Sequence, residues 1–289
     1  MDVDNLVVVK GNNIIESSYS LTLVEKRILL GCISKIDSTQ QFTRKHGFTI
    51  RVDEIKDLVT ERTSKNSLYT QVKNGMDRLG ERWLNLNDKG TDKVRWIYRK
   101  KYNDDEGSIT LYFTDEILPF LSELKGNFTK YKLHYVSKFG SVHSIRIYEL
   151  LVQWLAKGTR EVEVEKLKKM LGVEGKYTRS SNFIEKVIKT SINDINTHSN
   201  LNVNFAVRKT GKRVTHIQFE FAEKTKQLPQ QKISKSKNKI DQQKATIQKT
   251  STEEREILIE EFANSRKRFG NAAVIPEEFV SILKQQGRW

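Results

Sequence analysis

The chain has 289 residues, with 51 Lys and Arg against 36 Asp and Glu, which gives a net charge of +15 and a pI of about 9.6. It contains no run of 18 apolar residues, so we expect no membrane span, and its single cysteine, Cys32, excludes an internal disulfide framework. The first residues lack the basic and apolar regions of a secretory signal, so we expect a cytoplasmic protein. Such a basic chain indicates a polyanionic partner, most simply nucleic acid.

The first elements predict a unit of helices followed by strands. Apolar residues from Leu21 recur every three or four positions, which is typical of an amphipathic helix. Ser64 is placed to cap a later helix. The expected order is helix, strand, helix, helix and three strands, over residues 22–36, 48–50, 53–59, 66–80, 83–86, 94–102 and 108–113.

The next elements repeat this order after a connecting region. Residues 114–124 are expected to form a helix that, with the stretch 128–139, joins the two parts. The helix predicted over 143–157 is apolar nearly all round, which is typical of a helix buried between layers. After it come a strand, two helices and two strands, over residues 162–164, 165–171, 182–197, 201–208 and 214–221.

A short internal echo indicates two related units. Residues 52–58 resemble residues 164–170, and the elements around both segments follow the same order. Helix, strand, helix, turn, helix and hairpin is the order of a winged helix–turn–helix. We therefore predict an α+β protein with two tandem winged helix–turn–helix domains, residues 1–135 and 136–222.

The charge is unevenly distributed along the chain. Residues 223–252 contain eight Lys and no aromatic residue, which predicts a flexible basic linker of charge +6. Residues 253–289, with a net charge of −1, are predicted to form a short helical C-terminal segment. The remaining +10 belongs to residues 1–222, so the predicted folded body is itself basic.

The second unit has the strongest candidates for contact with DNA. We call the helix predicted over 182–197 the reading helix, because its polar face suits the major groove while its isoleucines face the core. A basic turn precedes it, and the next hairpin has a cationic tip, residues 208–213, which we call the wing. The alternatives are a solvated helix face and a tip that only prevents edge pairing. The candidate DNA-binding residues are Thr178, Arg179, Ser180, Ser181, Asn182, Lys186, Lys189, Thr190, Asn193, Arg208, Lys209, Lys212 and Arg213.

The first unit has weaker candidates. Its third helix and its hairpin present cations, but nearby acids reduce the local field, and Asp77 is placed to pair with Lys73 on the same helix. We expect this unit to contact mainly phosphates. Its candidate DNA-binding residues are Lys65, Asn66, Lys73 and Arg99.

We expect no catalytic or metal site. No two of the five histidines are separated by a single residue, so the metal-binding pair of rolling-circle nickases is missing. The Gly-Lys pairs lack the spacing of a phosphate-binding loop, and Cys32 lies on the apolar face of a helix. The prediction is no catalytic residue, no metal and no cofactor.

Five stretches, in order, resemble the Rep initiator proteins of iteron-bearing, theta-replicating plasmids. The resemblance covers about residues 5–222. The matching stretches are Tyr19-Ser20-Leu21-Thr22 with Glu25-Lys26-Arg27-Ile28-Leu29, Phe128-Thr129-Lys130-Tyr131, Ser144-Ile145-Arg146-Ile147-Tyr148-Glu149-Leu150, Asn193-Asp194-Ile195-Asn196 and Thr215-His216-Ile217.

The resemblance implies a tandem winged-helix protein that binds direct repeats, called iterons, at a plasmid origin and helps to open it. It implies that dimers formed through the first unit, in equilibrium with monomers, repress the initiator's own promoter. It also implies host DnaA and DnaB helicase as partners. It assigns outward positions of the reading helix to Lys186, Lys189 and Thr190, and packing roles to Arg146 and Glu149.

The chain departs from the family pattern at one point, and two other functions remain open. The family often has more Arg in the reading helix, whereas this chain has Ile184-Glu185-Lys186. One alternative function is a winged-helix transcription regulator without an initiator role. The other is a nickase or relaxase, which the missing histidine pair disfavours.

Overall fold

The computed structural model describes residues 5–55, 65–87 and 89–224, and beyond these only residues 259, 260, 263, 280, 283–285 and 287. The described chain mixes helices and strands in two winged-helix units, which confirms the predicted α+β class. The linker predicted over 223–252 and the helical segment predicted over 253–289 lie almost wholly outside the described residues. The part of the predicted helix 53–59 that follows Ile55 also lies outside them.

The first unit follows the predicted order, with additional short elements at its start. Helix α2 begins at a capping box, in which the Thr22 hydroxyl accepts a bond from the Glu25 N–H and the Glu25 carboxylate accepts one from the Thr22 N–H. The elements are β1 (Val7–Gly11), α1 (Asn12–Glu16), β2 (Ser18–Tyr19), α2 (Leu23–Ile33), β3 (Phe48–Arg51), a 3₁₀ turn (Asp53–Ile55), α3 (Lys65–Gly80), β4 (Trp83–Asn85), β5 (Lys93–Arg95), β6 (Ile97–Asn103) and β7 (Ser108–Phe113).

The single strand predicted over 94–102 is wrong, because the chain there forms two strands in different sheets. Strand β5 pairs with β4 in the sheet β2-β4-β5, whereas β6 pairs with β7 in the sheet β3-β7-β6. Trp96 lies between the two strands and is fully buried. Burial of this large side chain in the core accompanies the change of sheet.

The helix predicted over 114–124 is also wrong. Only a 3₁₀ turn forms there, Leu118–Phe120. A helix over 114–124 would place Pro119 in its interior, where proline has no N–H to donate and its ring would clash with the preceding turn. The stretch 128–139 contains β8 (Phe128–Lys132) and α4 (His134–Ser137). Strand β8 pairs antiparallel with β1, the first strand of the chain, with Tyr131 opposite Val8.

The second unit matches the predicted order closely. Its first helix ends at Val152 instead of 157, since the chain turns there towards Gly158, which has a positive φ of 67°. The other elements differ from prediction by a few residues at their ends. They are α5 (Val142–Val152), β9 (Thr159–Glu163), α6 (Val164–Met170), α7 (Ser180–Phe183), a π-helical segment (Ile184–Lys189), α8 (Thr190–His198), β10 (Leu201–Thr210) and β11 (Arg213–Glu223), with sheet order β10-β11-β9.

Helix α5 lies at the centre of the molecule. All residues from Ser144 to Leu151 are buried, which confirms the prediction of a helix covered on all sides. It packs against α1 and β8 on one side and against α8 on the other. One hydrophobic cluster therefore continues through both units.

The two units also meet closely at Gly172, which follows α6. A Cβ atom at this position would lie 2.6 Å from the carbonyl oxygen of Tyr19, and the φ of Gly172 is +66°. Both the contact and the backbone conformation therefore favour glycine.

Candidate nucleic-acid interface

The reading helix extends without interruption from α7 through the π-helical segment to α8, residues 180–198. Its buried residues include Phe183, Val187, Ile188, Ile192 and Ile195, which pack into the core. The sequence predicts an outward face of Asn182, Lys186, Lys189, Asn193 and Asn196, flanked by Thr190, and all of these except Asn196 are exposed on the side opposite the core. The prediction is wrong for Asn196, which is half-buried because its amide donates to the Val203 carbonyl at 2.9 Å and accepts from the Val203 N–H at 2.7 Å.

The middle of the reading helix is π-helical, which the sequence pattern did not predict. In a π-turn the backbone bond spans five residues instead of four, and such turns often occur at functional sites. Here the Thr190 hydroxyl donates a long hydrogen bond of 3.5 Å to the carbonyl oxygen of Glu185, five residues earlier. The π-helical segment, Ile184–Lys189, includes the exposed cations Lys186 and Lys189.

Glu185 is an exposed acid on this same face, and sequence reasoning did not single it out. Its carboxylate lies 2.7 Å from the ammonium of Lys189, and the two side chains are 67% and 50% exposed. The signal that could have found the pair is a Glu four residues before a Lys on a predicted helix. Lys186, by contrast, has no carboxylate within ion-pair distance among the described residues.

The turn before the reading helix presents polar groups at the helix N-terminus. Thr178, Arg179, Ser181 and Asn182 are exposed and Ser180 is half-buried. Arg179 is the N-cap residue and provides no side-chain cap for the first turn. The first N–H groups of a helix attract anions such as phosphate, so these residues suit a DNA backbone.

The wing lies at the end of the long β10–β11 hairpin and turns at Gly211, where φ is +60°. Arg208, Lys209, Lys212 and Arg213 are all exposed. The Arg208 guanidinium donates to the carboxylate of Glu161 on β9, with Nε at 2.7 Å. Within the described part of the chain, the other three wing cations have no ion-pair partner.

Glu161 is held in its charged form by its neighbours. A hydrogen bond from Gln218 and the adjacent Arg208 guanidinium together lower the pKa of this carboxyl group, although partial burial opposes them. Glu161 therefore remains an anion at neutral pH and competes with any phosphate for Arg208.

In the first unit, two of the predicted DNA-binding residues interact with side chains of the same unit. The guanidinium of Arg99 lies over the Tyr112 ring at 4.9 Å, and the Lys73 ammonium lies 3.5 Å from the Asp104 carboxylate. Lys65 and Asn66 lie at the start of α3, but their side chains fall outside the described residues.

The expected ion pair between Lys73 and Asp77 is wrong. The Asp77 carboxylate instead accepts hydrogen bonds from Lys100 at 2.5 Å and from the Tyr102 hydroxyl at 2.7 Å, both on β6. The strand packed against α3 places these donors closer to Asp77 than Lys73 on the same helix. The bonds from Lys100 and Tyr102 lower the pKa of Asp77, so it stays charged at neutral pH.

A buried charge cluster ties the central helix α5 to β1, α2 and β8. The Glu149 carboxylate on α5 is fully buried and pairs with Lys10 and with Lys26, the latter at 2.9 Å, while the Tyr131 hydroxyl donates to it at 2.6 Å. Burial alone would raise the pKa of Glu149, but the charges of Lys10 and Lys26 outweigh it and hold this pKa far below its usual range.

Arg146, which is also on α5, extends this cluster to the end of α6. It is fully buried and donates to the carbonyl oxygens of Ser17 and Met170, at 2.8 and 2.9 Å, and its guanidinium lies 3.9 Å from the centre of the Tyr19 ring. This burial agrees with the packing role that the sequence implied for Arg146 and Glu149.

A second ion pair also links the two units. The Arg160 guanidinium on β9 contacts both carboxylate oxygens of Glu16 on α1, at 2.7 and 2.9 Å, and also donates to the carbonyl of Leu150. The surfaces of the two units therefore keep a fixed relative orientation through two sets of charged contacts.

The described residues contain no group of three or more His, Cys, Asp or Glu that could hold a metal ion. Burial raises the pKa of the Cys32 thiol to about 12, so it is protonated at neutral pH and a poor nucleophile. Within the residues that the structure describes, no helix is long and apolar enough to cross a bilayer.

The sequence matches two family models in tandem. The model for "Initiator Replication protein, WH1" matches residues 7–152, and the model for "Initiator Rep protein, WH2" matches residues 163–221. A "Replication initiation protein" of Escherichia coli is 27% identical over 226 residues, covering 75% of this chain and 70% of that protein. The "PI protein" of Escherichia coli is 25% identical over 264 residues, covering 76% of this chain and 84% of that protein.

The structure is also similar to a solved one. The crystal structure of Pi initiator protein in complex with iteron DNA has a TM-score of 0.65 to this chain at 23% identity, and the match covers 77% of this chain and 99% of that chain. This likeness confirms the predicted fold of two winged-helix units.

Proposed function

The chain belongs to the initiator replication protein family, and from this premise we propose that it is a sequence-specific double-stranded DNA-binding initiator of plasmid replication. In this role it binds direct repeats, or iterons, at the origin and helps to open it, without being an enzyme. The observation that carries the proposal is the second unit, where the exposed polar face of the reading helix, the turn before it and the wing all present donors and cations.

The groups on these surfaces suit different parts of DNA. Lysine donates to guanine O6 and N7, and asparagine bonds to adenine N6 and N7, so the reading helix suits base edges. The turn and the wing suit phosphates. We assign base edges to Asn182, Lys186, Lys189, Thr190 and Asn193, and phosphates to Thr178, Arg179, Ser180, Ser181, Arg208, Lys209, Lys212 and Arg213.

In this proposal the first unit, residues 1–135, supports binding and mediates dimerisation. Lys65, Asn66, Lys73 and Arg99 contact phosphates, and the ion pair that engages Lys73 is consistent with a secondary role. Dimers repress the protein's own promoter and exchange with monomers that bind iterons through residues 136–222. Host DnaA and DnaB helicase are the proposed partners, and the cytoplasm is the proposed location.

Footprinting on the DNA that flanks the gene tests this function. We expect several protected sites of the same sequence and orientation. One inverted site without direct repeats would instead favour a transcription regulator. Incubation with supercoiled plasmid and a divalent metal tests the nickase alternative, and reproducible strand scission would contradict a non-enzymatic initiator.

A further inference from the structure

We propose that Glu185 selects a base in the major groove, by accepting a hydrogen bond from the exocyclic amino group of a cytosine. The inference rests on the proposed function, since it adds one contact to the same interface. Glu185 lies in the N-terminal half of the reading helix, the part that contacts base edges in helix–turn–helix proteins. Its side chain is 67% exposed on the face that carries Lys186 and Lys189.

Glu185 is the one acid of the reading helix whose carboxylate lies exposed beside the outward lysines. Residues 180–198 contain only one other acid, Asp194. The Asp194 carboxylate turns towards the start of α5, where it accepts bonds from the Ser144 hydroxyl at 2.6 Å and from the Gly140 N–H at 3.1 Å. Among the described residues the ion-pair partner of Glu185 is Lys189 of the same helix.

A carboxylate on a face that approaches DNA selects strongly between bases. It is repelled by phosphates and by the acceptors of guanine and thymine, so its approach to the groove raises the free energy of binding unless a donor meets it. The adenine N6 amino group is also a donor, but it lies beside the N7 acceptor, which repels a carboxylate, so the cytosine N4 amino group is the donor that pairs with Glu or Asp in the major groove. Glu185 therefore disfavours most sequences and tolerates those with cytosine at one position.

The local geometry supports this assignment. The π-helical segment widens the turn between Glu185 and Thr190, whose hydroxyl contacts the Glu185 carbonyl oxygen. The Glu185 carboxylate and the Lys189 ammonium lie side by side on the surface, 2.7 Å apart. When the carboxylate binds cytosine, Lys189 is placed to donate to an adjacent guanine.

Selection from a library of DNA duplexes with a randomised core tests the inference. The wild type, Glu185→Ala and Glu165→Ala are compared. Glu165 is a control outside the reading helix, because it is an exposed acid, 56% accessible, paired at 3.0 Å with the buried Lys168 on its own helix. That helix, α6, packs against β2, β9 and β11.

We expect the wild type and Glu165→Ala to select one motif with a fixed cytosine in one column. Glu185→Ala should lose the preference in that column alone. On a duplex with thymine in place of that cytosine, wild-type affinity should fall about 10- to 100-fold, while Glu185→Ala binds both duplexes equally. Its affinity for random duplex should rise, because a negative charge is removed and Lys189 is released, whereas misfolding would lower it.

Other outcomes separate this inference from the proposed function. If Glu185→Ala selects an unchanged motif, or loses information evenly in all columns, Glu185 does not read a base, although the proposed function stands. If the wild type selects no motif at all, sequence-specific binding fails and the inference fails with it.

Discussion

The Lys26 ammonium lies 2.9 Å from the Glu149 carboxylate, and neither side chain is accessible to solvent. The pair joins α2 of the first unit to the central helix α5. Lys10 and Arg146 also face this carboxylate, so three cations surround one buried anion. Such a pair offsets the cost of desolvation only while every partner is in place, which favours one arrangement of the units over others.

Glu149→Gln should lower the free energy of unfolding by about 3–5 kcal/mol, because it leaves buried cations without a counter-charge. Urea unfolding at pH 7 measures the change. Asp115→Asn, which removes an acid from an ion pair with Arg44 in which both side chains are more than half exposed, should change stability by at most about 1 kcal/mol. Equal stability of the two variants would contradict a structural role for the buried cluster.

The pH dependence of stability should depend on Lys10. Burial lowers its pKa from 10.5 to about 8, although the charge of Glu149 opposes the shift. Between pH 8 and 10.5 the unfolded chain therefore binds a proton that the folded protein has lost, and stability rises with pH in this window. Below pH 8 both states are protonated and Lys10 adds no slope.

Lys10→Met removes this titration. The free energy of unfolding of the wild type, relative to this variant, should rise by about 2 kcal/mol between pH 8 and 9.5. Burial also lowers the pKa of Lys26, so the variant keeps part of the increase. A difference between the two proteins that stays constant from pH 7 to 9.5 would show that Lys10 has no lowered pKa.

Local patterns predicted much of the second unit and of its candidate interface. The 3.6-residue period separates Ile188 and Ile195 from Lys186 and Lys189 whatever surrounds the helix, so the exposed face could be deduced. Alternation and turn residues likewise located the long hairpin and its tip at Gly211. The order of these elements was sufficient to indicate a winged helix.

The missed features depend on residues that are distant in sequence or on small local adjustments. Strand β1 pairs with β8, and Arg160 reaches Glu16, across separations that no local pattern reports. The division of the predicted strand 94–102 into β5 and β6 depends on the burial of Trp96 in the core, which the local pattern does not report. The π-helical segment accommodates one wider turn without changing which residues are buried, so the apolar pattern does not reveal it.

Glu161→Gln should strengthen binding to DNA, since it releases Arg208 for a phosphate. An exposed ion pair is worth at most about 1 kcal/mol, so the gain in affinity is about fivefold or less. Because Arg208 is assigned to a phosphate in both proteins, the slope of log K against log salt concentration should change by less than one phosphate contact. Titrations of labelled duplex at several salt concentrations measure both effects, with Glu165→Gln as the control. An unchanged affinity would mean that Glu161 does not compete with DNA for Arg208.

Truncation after Lys224 should leave recognition of the cognate repeat largely intact and make its salt dependence shallower, since most of the linker lysines are removed. The position of the cut matters. The Lys224 ammonium donates to the carbonyl of Ser199, just beyond the reading helix, at 2.9 Å. Truncation after Ala222 removes this bond and shortens β11, so it should also lower thermal stability. Loss of specific binding by the longer fragment would place part of the recognition surface beyond residue 224.

Lys186→Ala with Lys189→Ala should weaken binding to the cognate repeat by about 1–3 kcal/mol for each lysine that donates to a base, and should reduce the ratio of specific to non-specific affinity. The two lysines are not equivalent, because Lys189 is paired with Glu185 in the free protein and Lys186 is not. Lys186→Ala alone should therefore cost more affinity than Lys189→Ala alone, since the neighbouring Glu185 carboxylate partly neutralises the charge of Lys189. Titration of the single and double variants against cognate and random duplexes measures these effects. Equal reductions in affinity on both duplexes would show that these lysines bind phosphates and read no base.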